Sequence, residues 1–240
     1  YADGAIVDGE GFGKEIYGNT LAATLAGVRD DEKVKAVVLR VNSPGGSALA
    51  SEVIWHEMEL LRAEKPVVVS MGNVAASGGY YIACPADVIL ASPTTITGSI
   101  GVFGLLFNAG QGLKDKLGVT VDVAKTNPSA DIGLPFREVS PAERDYLQHN
   151  VERVYAGFVK HVAEGRNLTE AQVDSIGGGR VWSGVSALDN GLIDAWGGLS
   201  DAISLAADRA GVGDDFSISV PSQAPDLFTR IFTLLSARAG

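Results

Sequence analysis

PVVVSMGNVAASGGYYIACP, residues 66–85, opens with a proline and three valines and carries no charge to its end. A strand covered on both faces reads as a nearly continuous apolar run, so 66–72 is a strand. The small residues after it, Ala75-Ala76-Ser77-Gly78-Gly79, read as a tight turn into a helix over about 76–84.

The same alternation extends to both sides. DGAIVDG (3–9), AVVLRV (36–41), DVILAS (87–92) and VTVDVA (119–124) have strand character, with helical stretches at 19–30, 47–63 and 107–117. Strands alternating with helices build βαβ units, which places the chain in the α/β class. The second half is more helical. Ser140-Pro141-Ala142-Glu143 is a capping box with proline at the first helical position, opening a long helix to about Gly165. Thr169 with Gln172 repeats the device, and Asn190-Gly191 and Gly211 stop two later helices.

A chain of 240 residues is long enough for one large α/β domain, expected over 1–221. Residues 222–240 contain DLFTRIFTLLSARAG, whose apolar positions fall at helical spacing and call for packing on the body or a subunit contact. The 29 acidic against 19 basic residues give a net charge of −10, which repels phosphate backbones and argues against nucleic-acid binding. The single cysteine, Cys84, excludes an internal disulfide and a cysteine-rich metal site, and no metal or cofactor is expected. The chain begins at Tyr1 and no basic and apolar leader follows, so any targeting or anchoring segment is expected to have been removed from it. Residues 88–113 are uncharged, but Pro93 and five glycines from Gly98 to Gly112 interrupt them, which favours a buried core over a membrane helix.

Acyl transfer by serine needs an exposed hydroxyl, a base, and two donors aimed at the developing oxyanion. Ser77 at a helix start supplies the first, and the glycine after it, Gly78, offers an unobstructed N–H. VNSPGGSA (41–48) ends another strand, and its Pro44-Gly45-Gly46 turn lets Gly46 present a second N–H. In TITGSIGVFG (95–104), Thr97 and Ser99 offer hydroxyls able to orient a base, or simply to satisfy a β-turn.

Taken in order, VNSPGGSALASEVI, VSMGNVAASGGYYIA, SPTTITGSIGVFG, the SPAE helix start and GGRVWSGVSALDNGLIDAWGG resemble the signal peptide peptidase A family of Ser/Lys serine peptidases. The resemblance implies a Clp protease/crotonase-like fold, a repeated ββα superhelical core with a more helical C-terminal part. It implies Ser77 as nucleophile, Gly46 and Gly78 as oxyanion hole, and Ser99 as the hydroxyl that orients a lysine. It further implies signal-peptide remnants and other unfolded apolar peptides as substrates, a homo-oligomer, and a catalytic domain on the outer side of the bacterial cytoplasmic membrane. Two other readings share these motifs: a crotonase-like acyl-CoA enzyme and a non-catalytic assembly module.

The base is harder to place. His56, His149 and His161 fall on helices away from the glycine turns. A lysine serves only if its pKa falls from about 10.4 towards neutrality, roughly 3 units or ~4 kcal/mol. Lys125, in VDVAKTNPSAD, follows a strand-like run among uncharged neighbours. In single-domain relatives, however, the catalytic lysine comes immediately before an aspartate, and here Ala130 precedes Asp131. Long members carry serine in the C-terminal half and lysine in the N-terminal half. The resemblance is to that serine-bearing half, its base supplied by an N-terminal half or a neighbouring subunit, with Lys125 as the fallback.

Overall fold

The computed structural model describes residues 1–221; the apolar stripe at 222–240 lies outside them. The described chain divides into two compact units, one of residues 1–101 and 158–221 and the other of 102–157.

In chain order the elements are β1 (Ala2–Asp3), β2 (Ile6–Val7), β3 (Ile16–Tyr17), α1 (Gly18–Asp30), β4 (Val37–Ser43), α2 (Ala48–Glu64), β5 (Val67–Ala76), α3 (Gly78–Tyr81), β6 (Val88–Ala91) and β7 (Ile96–Gly98). They continue as α4 (Gly110–Leu117), α5 (Pro141–Arg166), α6 (Glu170–Ile176), β8 (Val181–Ser183), α7 (Gly184–Asp189), β9 (Ala195–Trp196) and α8 (Leu199–Ala210). The protein is therefore mixed α/β with a mostly parallel sheet, as the alternation predicts.

The main sheet runs β1-β4-β5-β6-β9, all parallel neighbours. The far end of β5 also pairs in parallel with β7, which pairs antiparallel with β8. Strand β5 is the hinge of the layout: its first half faces β6 (Val68↔Val88) and its last residues face β7 (Ala76↔Gly98). A register shift between Val41 and Ser43 turns the end of β4 against β5, a bulge of the kind found beside sites. On one face Val68, Val88 and Leu90 pack with Ala202 and Ala206 of α8. Alternate residues of β5, Val67, Val69 and Met71, point the other way and are also buried. Each fully buried aliphatic side chain contributes roughly 1.5–3 kcal/mol, which is why the continuous apolar runs fix these strands.

The capping signals hold. Ser140 Oγ accepts from the Glu143 N–H while the Glu143 carboxylate accepts from the Ser140 N–H, opening α5. Thr169 and Gln172 form the same reciprocal pair at α6, and α8 ends on Gly211 in the left-handed conformation. The expected strand at 119–124 is absent: these residues are irregular, and Val119 and Val121 are exposed. Its alternation finds no partner edge among the described residues, and β-propensity without a ladder does not make a strand. No helix of the described residues is long and apolar enough to cross a membrane.

Candidate active site

Strand β5 ends at Ala76, and the chain reverses into α3 through Ser77, whose φ of 53° and ψ of −122° are costly for a residue with a side chain. Such a conformation stores on the order of 1–3 kcal/mol and persists only where its surroundings impose it. Three hydrogen bonds do so. The Ser77 N–H donates to the Gly98 carbonyl at 2.9 Å, and the Ser77 carbonyl accepts from Tyr80 and Tyr81 at 2.9 Å each. The result is a sharp strand-to-helix turn that lifts a serine off the end of a sheet. Ser77 is half-buried, and its Oγ forms no hydrogen bond among the described residues.

The PGG turn after β4 lies directly against this serine. A Cβ on Gly45 would stand 2.6 Å from the Gly78 nitrogen and 2.8 Å from Ser77 Cβ, so only glycine allows the two loops to approach. A Cβ on Gly78 would stand 2.5 Å from Ser51 Oγ and 3.2 Å from the Gly46 nitrogen. The backbone amides of Gly46 and Gly78 thus lie side by side. Neither N–H has an acceptor among the described residues, whereas the Gly45 N–H is spent on Ser43 Oγ, the Ser47 N–H on the Ile6 carbonyl and the Ser77 N–H on Gly98. Two unspent amides beside a serine hydroxyl form a site able to hold a developing oxyanion.

The start of α2 fixes the Gly46 side. Ser47 caps the helix by accepting from the Ala50 N–H, and its hydroxyl donates to Asp8. Buried Ser51 donates back to the Ser47 carbonyl at 2.8 Å and fills the space beside Gly78.

Ser99 follows Gly98 and also has positive φ, 51°, with its N–H on the Arg180 carbonyl at 2.7 Å. Its side chain makes no hydrogen bond among the described residues. Thr97 is different: its buried hydroxyl donates to the Ala75 carbonyl at 2.7 Å and is consumed in joining β7 to β5. Ser77, Gly46, Gly78 and Ser99 therefore come together at one end of the sheet.

Lys125 belongs to the 102–157 unit. Its ammonium donates to both oxygens of Asp131, at 3.0 and 3.1 Å, and to the Pro128 carbonyl at 2.9 Å. Arg137 forks onto the same carboxylate and onto Glu143. Arg137 first, then Lys125, hold the Asp131 carboxyl well below the usual carboxylate range. Lys125 thus donates twice to a fixed anion and once to a backbone carbonyl. The histidines sit on helices: His149 Nδ1 lies 2.7 Å from the Asp145 carbonyl, and His161 stacks on Trp55.

Sequence reasoning singles out neither Gly98, whose carbonyl holds the Ser77 backbone, nor Ser51. The register of β7 is not visible in a three-residue strand, although Ser51, four residues after Ser47, is spaced to reach back one helical turn.

The model of peptidase family S49 matches residues 59–213, nearly two thirds of the chain. The chain belongs to peptidase family S49. The Clp protease model also matches this S49 chain over residues 5–93, which hold β4, the PGG turn and the Ser77 turn. It is 47% identical to Protease 4 of Salmonella typhi over 211 residues, 88% of this chain and 34% of the relative. Protease 4 of Haemophilus influenzae is 42% identical over 238 residues, 98% of this chain and 38% of the relative. The chloroplastic serine protease SPPA of Arabidopsis thaliana is 38% identical over 201 residues, 83% of this chain and 30% of the relative. The S49 chain thus spans about a third of the length of these curated relatives.

Proposed function

We propose that this chain is the serine-bearing half of a signal peptide peptidase that hydrolyses remnant signal peptides and other unfolded apolar peptides. The observation that carries this reading is the strained Ser77, whose Oγ has no hydrogen-bond partner among the described residues, beside the Gly46 and Gly78 amides, which also have none there. Ser77 Oγ attacks the scissile carbonyl as its proton passes to a neutral lysine. The carbonyl oxygen becomes an oxyanion between the two N–H groups, the lysine returns the proton to the departing amine, and water then releases the acyl group by the same route. Ser99 orients the lysine through its hydroxyl.

The lysine comes from a segment outside these 240 residues, in an N-terminal half or a neighbouring subunit. Two points support this: by the family resemblance Ala130 stands where single-domain members carry the base, and the Lys125 ammonium is held by Asp131 and Pro128. The working assembly is a homo-oligomer at the outer face of the cytoplasmic membrane, its anchor in another part of the protein.

The test uses the full-length protein that contains this chain. Ser77→Ala abolishes cleavage of an apolar fluorogenic peptide and labelling by a fluorophosphonate, with assembly unchanged. Persistent labelling of Ser77→Ala would remove Ser77 from its role. Absence of labelling in the folded wild type would make the chain an assembly module, and capture on CoA-agarose would favour acyl-CoA chemistry.

A further inference from the structure

Whatever fixes the distance between the Gly46 and Gly78 amides fixes the fit of an oxyanion between them. Gly46 sits two residues before α2, and Gly78 opens α3. Their separation is therefore set by how these two helices dock. Two successive residues of α2 touch α3. Ser51 fills the space beside Gly78 at one end, and the Glu52 carboxylate accepts the hydroxyl hydrogen bond of Tyr81 at the other.

Tyr81 is tied at both ends. Its backbone N–H donates to the Ser77 carbonyl at 2.9 Å, and its phenol reaches Glu52 on the neighbouring helix. Helix α3 is only four residues long, so a tether at its last residue acts on the whole element. The ring is clamped as well, 4.5 Å from Phe158 and edge-on to His161 at 5.5 Å. The oxygen of Glu52 that takes the phenol also lies 3.3 Å from His161 Nε2 on α5. Burial, then the Glu52 carboxylate, push the Tyr81 phenol up, and it stays a donor throughout the neutral range.

We propose that Glu52 is a positioning residue for peptide hydrolysis, setting the separation of the Gly46 and Gly78 amides through the hydroxyl of Tyr81. The proposal rests on the reading of Ser77 as nucleophile. Glu52 and Tyr81 touch no reacting atom; they hold α3 against α2 so that both donors reach one oxygen, a geometry in which fractions of an ångström count.

The experiment uses the full-length protein and two readouts: the second-order rate of fluorophosphonate labelling at Ser77, whose transition state places negative charge between the same amides, and kcat and KM on an apolar fluorogenic peptide. Tyr81→Phe and Glu52→Ala each slow labelling and kcat about tenfold, with KM within twofold and the melting temperature little changed. Glu52→Gln keeps an acceptor for the phenol and retains at least half of the wild-type rate. Labelling of Tyr81→Phe at the wild-type rate overturns the proposal, as does a Glu52→Gln variant as slow as Glu52→Ala, which would give the role to the charge facing His161. Should Tyr81→Phe fail to fold, the Glu52 pair decides alone. Persistent labelling in Ser77→Ala, by contrast, would refute the nucleophile assignment and not the clamp.

Discussion

The Ser77 N–H donates to the Gly98 carbonyl at 2.9 Å, and both Ser77 and the residue after Gly98, Ser99, adopt positive φ, 53° and 51°. One parallel pairing, Ala76↔Gly98, thus delivers two strained serines to the same end of the sheet. Strain at such positions costs free energy that the surrounding structure has to offset.

Replacing Ser77 by glycine removes that cost while keeping the backbone bonds. Ser77→Gly is expected to stabilise the protein by about 1 kcal/mol, a rise in melting temperature of roughly 2–4 °C for a domain of this size, and to be inactive. Ser77→Ala, equally inactive, melts close to the wild type because the lost hydroxyl makes no hydrogen bond among the described residues. Calorimetry of the three proteins checks the order, and a Ser77→Gly variant less stable than Ser77→Ala would contradict the strain.

Gly78→Ala places a methyl group 2.5 Å from Ser51 Oγ and 3.2 Å from the Gly46 nitrogen. The expected outcome is a loss of 10²–10³ in kcat, about the cost of one oxyanion donor, together with lower stability. Adding Ser51→Gly restores part of the stability, because the hydroxyl is the tighter contact. It does not restore activity, since the methyl group still stands beside the Gly46 amide. Melting curves and kcat on the single and double variants separate the two effects.

The 102–157 unit offers a pH test. Arg137 lowers the pKa of both Asp131 and Glu143, with Lys125 adding to the first and the Ser140 N–H to the second. A carboxyl whose pKa is depressed on folding contributes stability above its unfolded value, near 4, and loses it as pH falls through the folded value. Amide protection over 129–143 is therefore equal at pH 7 and pH 5 and declines only below about pH 4. Arg137→Ala leaves two carboxylates without their shared cation and abolishes that protection at pH 7. Hydrogen exchange followed by mass spectrometry reads both.

The strands at 66–72 and 87–92 are legible because they are buried on both faces, and burial writes itself as a run of apolar residues; 36–41 buries Leu39 and Val41 on one face only. The two- and three-residue strands β7, β8 and β9 are too short for any period to appear. Residues 119–124 mislead in the opposite direction, since their alternation is real but no edge among the described residues pairs with it. In the site, Ser77, Gly46 and Gly78 are visible because small residues between apolar runs mark close backbone approach. Glu52 is not: a carboxylate on an amphipathic helix reads as solvated surface, and only the fold brings Tyr81 to it.

The base decides the architecture. A general base must offer a lone pair, and Lys125 Nζ instead directs its protons to Pro128 and both oxygens of a carboxylate that Arg137 keeps ionised. Freeing Lys125 would leave the Asp131 carboxylate with Arg137 alone. Lys125→Met in the full-length protein is therefore expected to keep kcat and KM within twofold of the wild type while weakening amide protection near Asp131. The isolated 240-residue chain, tested on the same fluorogenic peptide, is expected to be at least a hundredfold slower than the full-length protein, the usual order of a lost acid–base group. Adding the remainder of the protein in trans should recover activity, provided the added part keeps its lysine. Rapid turnover by the chain alone, abolished by Lys125→Met, would return the base to Lys125 and end the half-enzyme reading.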